Sequence, residues 1–197
     1  MTTIVKGEHR KLTLRQRRGR AVNAVADVLR KKLLVPNIYL EPHSHPLAVD
    51  VLAVDRAGSG DLHAVQVKLE NDFKMEPGKK PANPKAINER NREWWAHFRK
   101  KMGEIRGRLM SLPAHYRYLA IEKDSWDSVM GELGDLYSPD GIGRIGIITI
   151  NDHGEDPPSA EIVITPERFR VDGAKLSKIE KNLINNKKVR PDIEVRI

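Results

Sequence analysis

Asp50, Gln66 and Lys68 are the residues of this chain whose types and spacing suit chemistry. Asp50 stands inside an otherwise apolar run, Leu47-Ala-Val-Asp-Val-Leu-Ala-Val54. A carboxylate buried in such a strand without a partner is unfavourable, so it calls for compensation. The next apolar run, Ala64-Val-Gln-Val-Lys-Leu69, carries a matching oddity. Strand alternation puts Gln66 and Lys68 on one face and Val65, Val67 and Leu69 on the other. Between the runs, Arg56-Ala-Gly-Ser-Gly-Asp61 reads as a hairpin loop, which brings that polar face beside Asp50. An acid, an amide oxygen and an ammonium group would then meet. Asp50 and the Gln66 side-chain oxygen are hard ligands suited to Mg²⁺ or Mn²⁺, and the Val67 backbone carbonyl is a candidate third. Such an ion polarises a phosphate oxygen and acidifies a bound water. Lys68 would orient that water or neutralise charge at phosphorus, and partial burial would lower its pKa. The plainer alternative is a cross-strand ion pair of Asp50 with Lys68. Three polar groups together in an apolar frame favour a site instead.

Charge is distributed unevenly. The 197 residues carry a net +8, and residues 1–34 alone hold ten Lys/Arg against two acids, Glu8 and Asp27. The rest of the chain is neutral overall. Arg15, Arg17, Arg18 and Arg20 therefore form a candidate nucleic-acid surface, with Lys79 and Lys80 further along as phosphate contacts. A solvated basic helix is the alternative. The chain has no cysteine, which excludes disulfides and zinc–thiolate sites and suits a cytoplasmic location. No apolar run approaches the ~20 residues of a membrane span, and no signal peptide is evident.

The elements that would position these groups follow from periodicity. Residues 12–34 read as a helix with Thr13 as N-cap and Pro36 as its stop. Extended segments follow at 37–40, 47–54 and 62–69. A breaker-rich loop spans 76–84, and a long helix with basic flanks spans 84–112. Then come a strand at 116–121, a short helix at 125–133 capped by Ser125, strands at 145–150 and 160–164, and a helix at 174–186. The alternation suggests one domain spanning 1–197, an α/β sandwich around a mixed sheet. Its core would occupy about 12–150, with a C-terminal elaboration over about 158–197. The final helix would serve an interface or cap the core.

Asp50 followed by fifteen residues and Gln66-Val67-Lys68 resembles the PD-(D/E)XK nuclease superfamily, in a Gln-X-Lys version similar to its Mrr-like branch. The element order over about 12–121 fits as well. The resemblance implies a restriction-endonuclease-like three-layer sandwich and a Mg²⁺-dependent endonuclease acting on double-stranded or branched DNA. Members often act as dimers, so a homodimer is implied as an assembly. Two departures stand out. Asn23 occupies the first-helix position that often carries Glu, and Gln66 replaces the usual Glu. Asp50 is then the one clear acid, with Glu41, Asp55, Asp27 or Glu70 as candidates for a second. The expectation is a nuclease working at Asp50, Gln66 and Lys68. The alternative is a nuclease-fold protein that binds nucleic acid without cutting it, and a third reading is an assembly protein that uses its basic helix.

Other features read more simply. His43 and His45 form a polar loop without a further zinc-ligand set. Trp94 and Trp95 suit base stacking, although Trp94 lies on the apolar stripe of its helix. Gly141-Ile-Gly143 precedes a strand and is not a nucleotide-binding glycine loop.

Overall fold

A computed structural model describes residues 12–35, 37–40, 49–55, 60–74, 84–130, 145–152 and 157–185. Side chains of 84–88, 128–130, 180 and 182–185 lie outside that description. Helix α1 spans Leu14–Lys32, β1 Asn37–Leu40, β2 Val51–Val54 and β3 Leu62–Lys68. A 3-10 turn at Glu70–Phe73 leads on to α2, Pro84–Ser111. Strand β4 (Tyr116–Glu122), α3 (Lys123–Met130), β5 (Gly146–Asn151), β6 (Ser159–Ile164) and α4 (Gly173–Asn185) complete the order.

The six strands form one mixed sheet in the order β1-β2-β3-β4-β5-β6. The β3–β4 and β4–β5 pairs are parallel and the other three are antiparallel. Alternation along the strands fills both faces. Val51, Ala53, Val65, Val67, Tyr118, Ala120, Ile148 and Ile150 pack with Ala21, Val22, Val25 and Leu29 of α1. Leu52, Val54, Leu62, Leu119, Ile121 and Ile147 pack with Phe98, Met102, Ile105 and Leu109 of α2. Trp126 of α3 and Ile179 of α4 join the second core, so the protein is a three-layer α/β sandwich. Strands buried on both sides explain the near-continuous apolar runs. Ile179 is 2% exposed, so α4 caps the core.

Helix α1 begins as its sequence indicates. Thr13 Oγ1 accepts from the Gln16 amide while Gln16 Oε1 accepts from the Thr13 amide, a reciprocal cap. At the other end Leu34, with φ 54°, adopts the left-handed conformation that closes a helix, and the Val35 amide reaches back to the Leu29 carbonyl. Pro36 lies outside the described residues. Two expected boundaries shift. Helix α3 starts at Lys123, directly on the end of β4, so Ser125 is inside it and is not its N-cap. Strand β2 starts at Val51, which places Asp50 just before the strand rather than within it.

Candidate site at the C-terminal ends of the parallel strands

The antiparallel β2–β3 register sets Val51 opposite Val65, so Asp50 emerges beside the C-terminal end of β3. The Asp50 amide donates to the Val65 carbonyl at 3.0 Å. Where the strand ladder would continue, the Asp50 side chain takes over, and its Oδ2 accepts from the Val67 amide at 2.7 Å. The other oxygen turns toward α1. Arg18 Nη2 lies 3.3 Å from Asp50 Oδ1 and donates to the Val67 carbonyl at 3.0 Å. Arg18 Nη1 lies 3.5 Å from Asp72 Oδ2. That same Asp72 oxygen accepts from the Leu69 amide at 2.9 Å, pinning the 3-10 turn to the strand end.

Gln66 and Lys68 alternate away from the face that carries Val65 and Val67, as strand geometry requires. Gln66 is 8% exposed, and its Oε1 is buried with no hydrogen-bond partner among the described residues. An unsatisfied buried carbonyl oxygen is unfavourable and calls for an explanation. Lys68 has its pKa lowered, chiefly by burial. Asp72 and Asp50 oppose that shift, while Arg18 and Arg108 add to it. Asp50, the Val67 backbone and Lys68 thus share one electrostatic neighbourhood. Gln66 is next in sequence, but its side-chain oxygen makes no hydrogen bond to this group among the described residues.

Arg17, Arg18 and Arg20 do not project freely from α1. Arg17 pairs with Glu122 and lies 3.7 Å from Asp152, and Arg20 lies 3.4 Å from Asp152. Glu122 closes β4 and accepts from the Glu70 amide. Asp50, Asp72, Glu122 and Asp152 therefore ring one end of the sheet. Sequence reasoning passed over the last three. A signal for them exists in α1, whose first turn is free of acids although Arg17 and Arg18 follow at once. Cations near a helix N-terminus oppose its dipole, so tertiary carboxylates must compensate.

The remaining candidates fall elsewhere. Asn23 is exposed on α1. Asp27 pairs with Arg30, and the Glu70 side chain pairs with Lys74. Asp55 follows β2 and sits at the opposite end of the sheet from Asp50. Glu41, His43, His45, Lys79 and Lys80 lie outside the described residues. Arg15, Lys31 and Lys32 of α1 are exposed, as are Arg92, Arg99 and Lys100 of α2. Trp94 and Trp95 pack on the core, with the Trp94 ring stacked on Phe98 at 5.3 Å. Among the described residues no three His, Cys, Asp or Glu side chains gather as a metal cluster. A cation here would rest on Asp50 Oδ1, the Val67 carbonyl and water. No described helix is long and apolar enough to cross a membrane.

A second polar cluster occupies the opposite end of the sheet. Arg168 grips Asp61 with two hydrogen bonds, 2.8 and 3.1 Å. His115 Nδ1 accepts from the Leu62 amide at 3.0 Å, so that nitrogen carries no proton and its approach to Asp61 is not an ion pair. His63 stacks on Tyr116, and its Nδ1 lies 3.4 Å from the Tyr118 hydroxyl. Burial lowers the His63 pKa from 6.5 to about 4, against opposing effects of Asp61 and Asp55. Arg117 donates to the Leu112 carbonyl at 2.8 Å and lies 3.8 Å over the Phe169 ring.

No family model matches the chain, and no curated protein matches it. Among solved structures, a protein of unknown function from Silicibacter pomeroyi is similar at a TM-score of 0.40 and 14% identity. The alignment covers 94% of this chain and 100% of that one.

Proposed function

We propose that this protein is a Mg²⁺- or Mn²⁺-dependent DNA endonuclease that hydrolyses phosphodiester bonds at the end of β3. One observation carries the reading. Asp50 Oδ1 and the Val67 carbonyl converge on a single cationic nitrogen, that of Arg18, beside a lysine held in a partly dry setting. Two hard oxygens around one positive charge are the beginning of a divalent-cation site. When bound, the ion would supply Lewis-acid stabilisation of the phosphate. Asp50 holds its geometry through the Val67 amide, so the carboxylate is fixed before any ligand arrives. Lys68 orients the attacking water or neutralises charge at phosphorus. The water oxygen bonds to phosphorus as the leaving oxygen departs, and the proton the water sheds to solvent is balanced by the one the leaving oxygen takes up. Lys68 thereby acts where Asp50 and Asp72 restrain it. Exposed Arg15 and Lys32 extend a positive surface along α1 for the DNA backbone. A cytoplasmic setting and a homodimer belong to the same proposal.

The test is cleavage of supercoiled, single-stranded and branched DNA with Mg²⁺ or Mn²⁺, comparing wild type, Asp50→Ala and Lys68→Ala. Both variants are expected to lose cleavage. Equal cleavage by all three proteins removes the site from consideration.

Arg18 favours a second reading, in which the protein binds nucleic acid without cutting it. Its guanidinium already neutralises Asp50, and the expected acids are amides at Asn23 and Gln66. Salt-dependent DNA binding that needs no divalent ion, with no cleavage of any substrate, would select this reading. Mn²⁺ binding by calorimetry that disappears in Asp50→Ala would reject it.

A further inference from the structure

Arg18 occupies the two oxygens that the proposed cation would use. Its Nη2 lies 3.3 Å from Asp50 Oδ1 and 3.0 Å from the Val67 carbonyl oxygen. Mg²⁺ sits about 2.0–2.1 Å from its oxygens, so an ion holding both from the side that the guanidinium occupies would fall within roughly 2 Å of that nitrogen. Overlap and like charge forbid both at once. Arg18 also has somewhere to go. Its side chain is 29% exposed, and its further contact at this corner, to Asp72, is a long 3.5 Å.

We propose that Arg18 is a built-in competitor for the divalent cation, so that metal binding and release of the Arg18 guanidinium are one event. This inference rests on the metal-dependent reading above. The apo site is held neutral by Arg18, which keeps the Asp50 carboxylate from lying bare. On release the guanidinium swings toward solvent, where a planar fork of donors suits a phosphodiester oxygen pair. A DNA phosphate that captures Arg18 vacates the cation site, and a cation that displaces Arg18 frees a phosphate ligand. Linkage makes these two effects equal in size, so DNA and metal bind with positive coupling. Arg18 is thus a positioning residue that keeps the metal-free protein from taking up the ion before substrate.

The experiment is Mn²⁺ titration by calorimetry on the full chain without DNA. Wild type, Arg18→Gln, Arg18→Met, Asp50→Ala and Lys31→Gln are compared, with thermal melts to confirm folding. Lys31 is exposed in the last turn of α1, so Lys31→Gln removes the same formal charge away from the corner. Both Arg18 variants should bind Mn²⁺ about tenfold more tightly than wild type, within the usual span of coupling between ligands. Lys31→Gln should match wild type, and Asp50→Ala should lose the binding. Two Arg18 variants guard against one failing to fold. Equal Mn²⁺ affinity in wild type and the Arg18 variants, with binding still lost in Asp50→Ala, overturns the competition and leaves the metal site standing. Equal tightening by Lys31→Gln overturns it too, because net charge would then explain the gain. Absence of Asp50-dependent Mn²⁺ binding in every protein overturns both readings.

Discussion

Each end of the central sheet carries a cluster of acids and cations, yet the two clusters are built to different ends. At the N-terminal ends of β3 and β4, hydrogen bonds join one segment to another, although Arg117 Nε is buried with no hydrogen-bond partner among the described residues. Arg168 ties the segment after β6 to Asp61, His115 accepts from the first amide of β3, and Arg117 donates to the Leu112 carbonyl and lies over the Phe169 ring. At the C-terminal ends, three arginines of one helix turn face four carboxylates from four different segments. There the strand-end groups are only partly satisfied. Gln66 Oε1 has no hydrogen-bond partner among the described residues, Lys68 is kept from full hydration, and Arg18 shares one nitrogen between two oxygens. Hydrogen bonds that join segments suit a structural lock, whereas convergent, partly satisfied groups at a strand end are what the proposed ligand site requires. Open α/β sheets present their ligand sites at the carboxyl ends of parallel strands, which is the end where Asp50 and Lys68 stand.

The sharpest way to break this contrast is to remove a key group from the proposed active end. Asp50→Ala is expected to abolish metal-dependent DNA cleavage, by about a hundredfold or more as for loss of a principal transition-state stabiliser, in a plasmid assay with Mn²⁺. Retained activity would make that end as structural as the other.

The lock should instead report in stability. His63 has a folded pKa near 4 against 6.5 in the unfolded chain, so the fold prefers its neutral form. Its contribution is whole above pH 6.5 and is lost as pH falls from 6.5 toward 4, because only the unfolded chain takes up the proton in that window. The loss is on the order of 3 kcal/mol. Urea unfolding at pH 7.5 and pH 4.5 measures it, and His63→Gln should flatten the difference. A wild-type protein equally stable at both values would show that this histidine is not held dry.

Gly146 sharpens the same point. A Cβ there would lie 2.6 Å from a Tyr118 ring carbon and 2.7 Å from Pro166 Cδ. Gly146→Ala is therefore expected to destabilise by about 1–3 kcal/mol through overpacking, seen as a lower denaturant midpoint, with metal binding at the far end unchanged. The smallest effect is a gain. Leu34 is 79% exposed and left-handed, so Leu34→Gly should stabilise by about 1 kcal/mol and raise the melting temperature. Neither end of the sheet should notice. A changed Mn²⁺ affinity in that variant would mean that the C-terminus of α1 and its arginine-bearing start are coupled.

Local sequence patterns specify the element order and the faces of the strands. Alternation and helical spacing are local properties, so the side on which Val65, Val67, Gln66 and Lys68 fall could be read from their order. Thr13 as a cap was legible for the same reason, since its partner Gln16 is three residues away. Ser125 misled because the end of β4 runs directly into α3, and that junction sets the helix start before the capping residue is reached. What each charge meets is a property of the packed molecule. Arg18 lies 32 residues from Asp50, and Arg17 lies 105 residues from Glu122. Pairings at that range depend on the packing angle of α1 across the sheet, which no local pattern encodes. That packing converted a helix turn that reads as a DNA-facing patch into the cationic lining of the Asp50 corner.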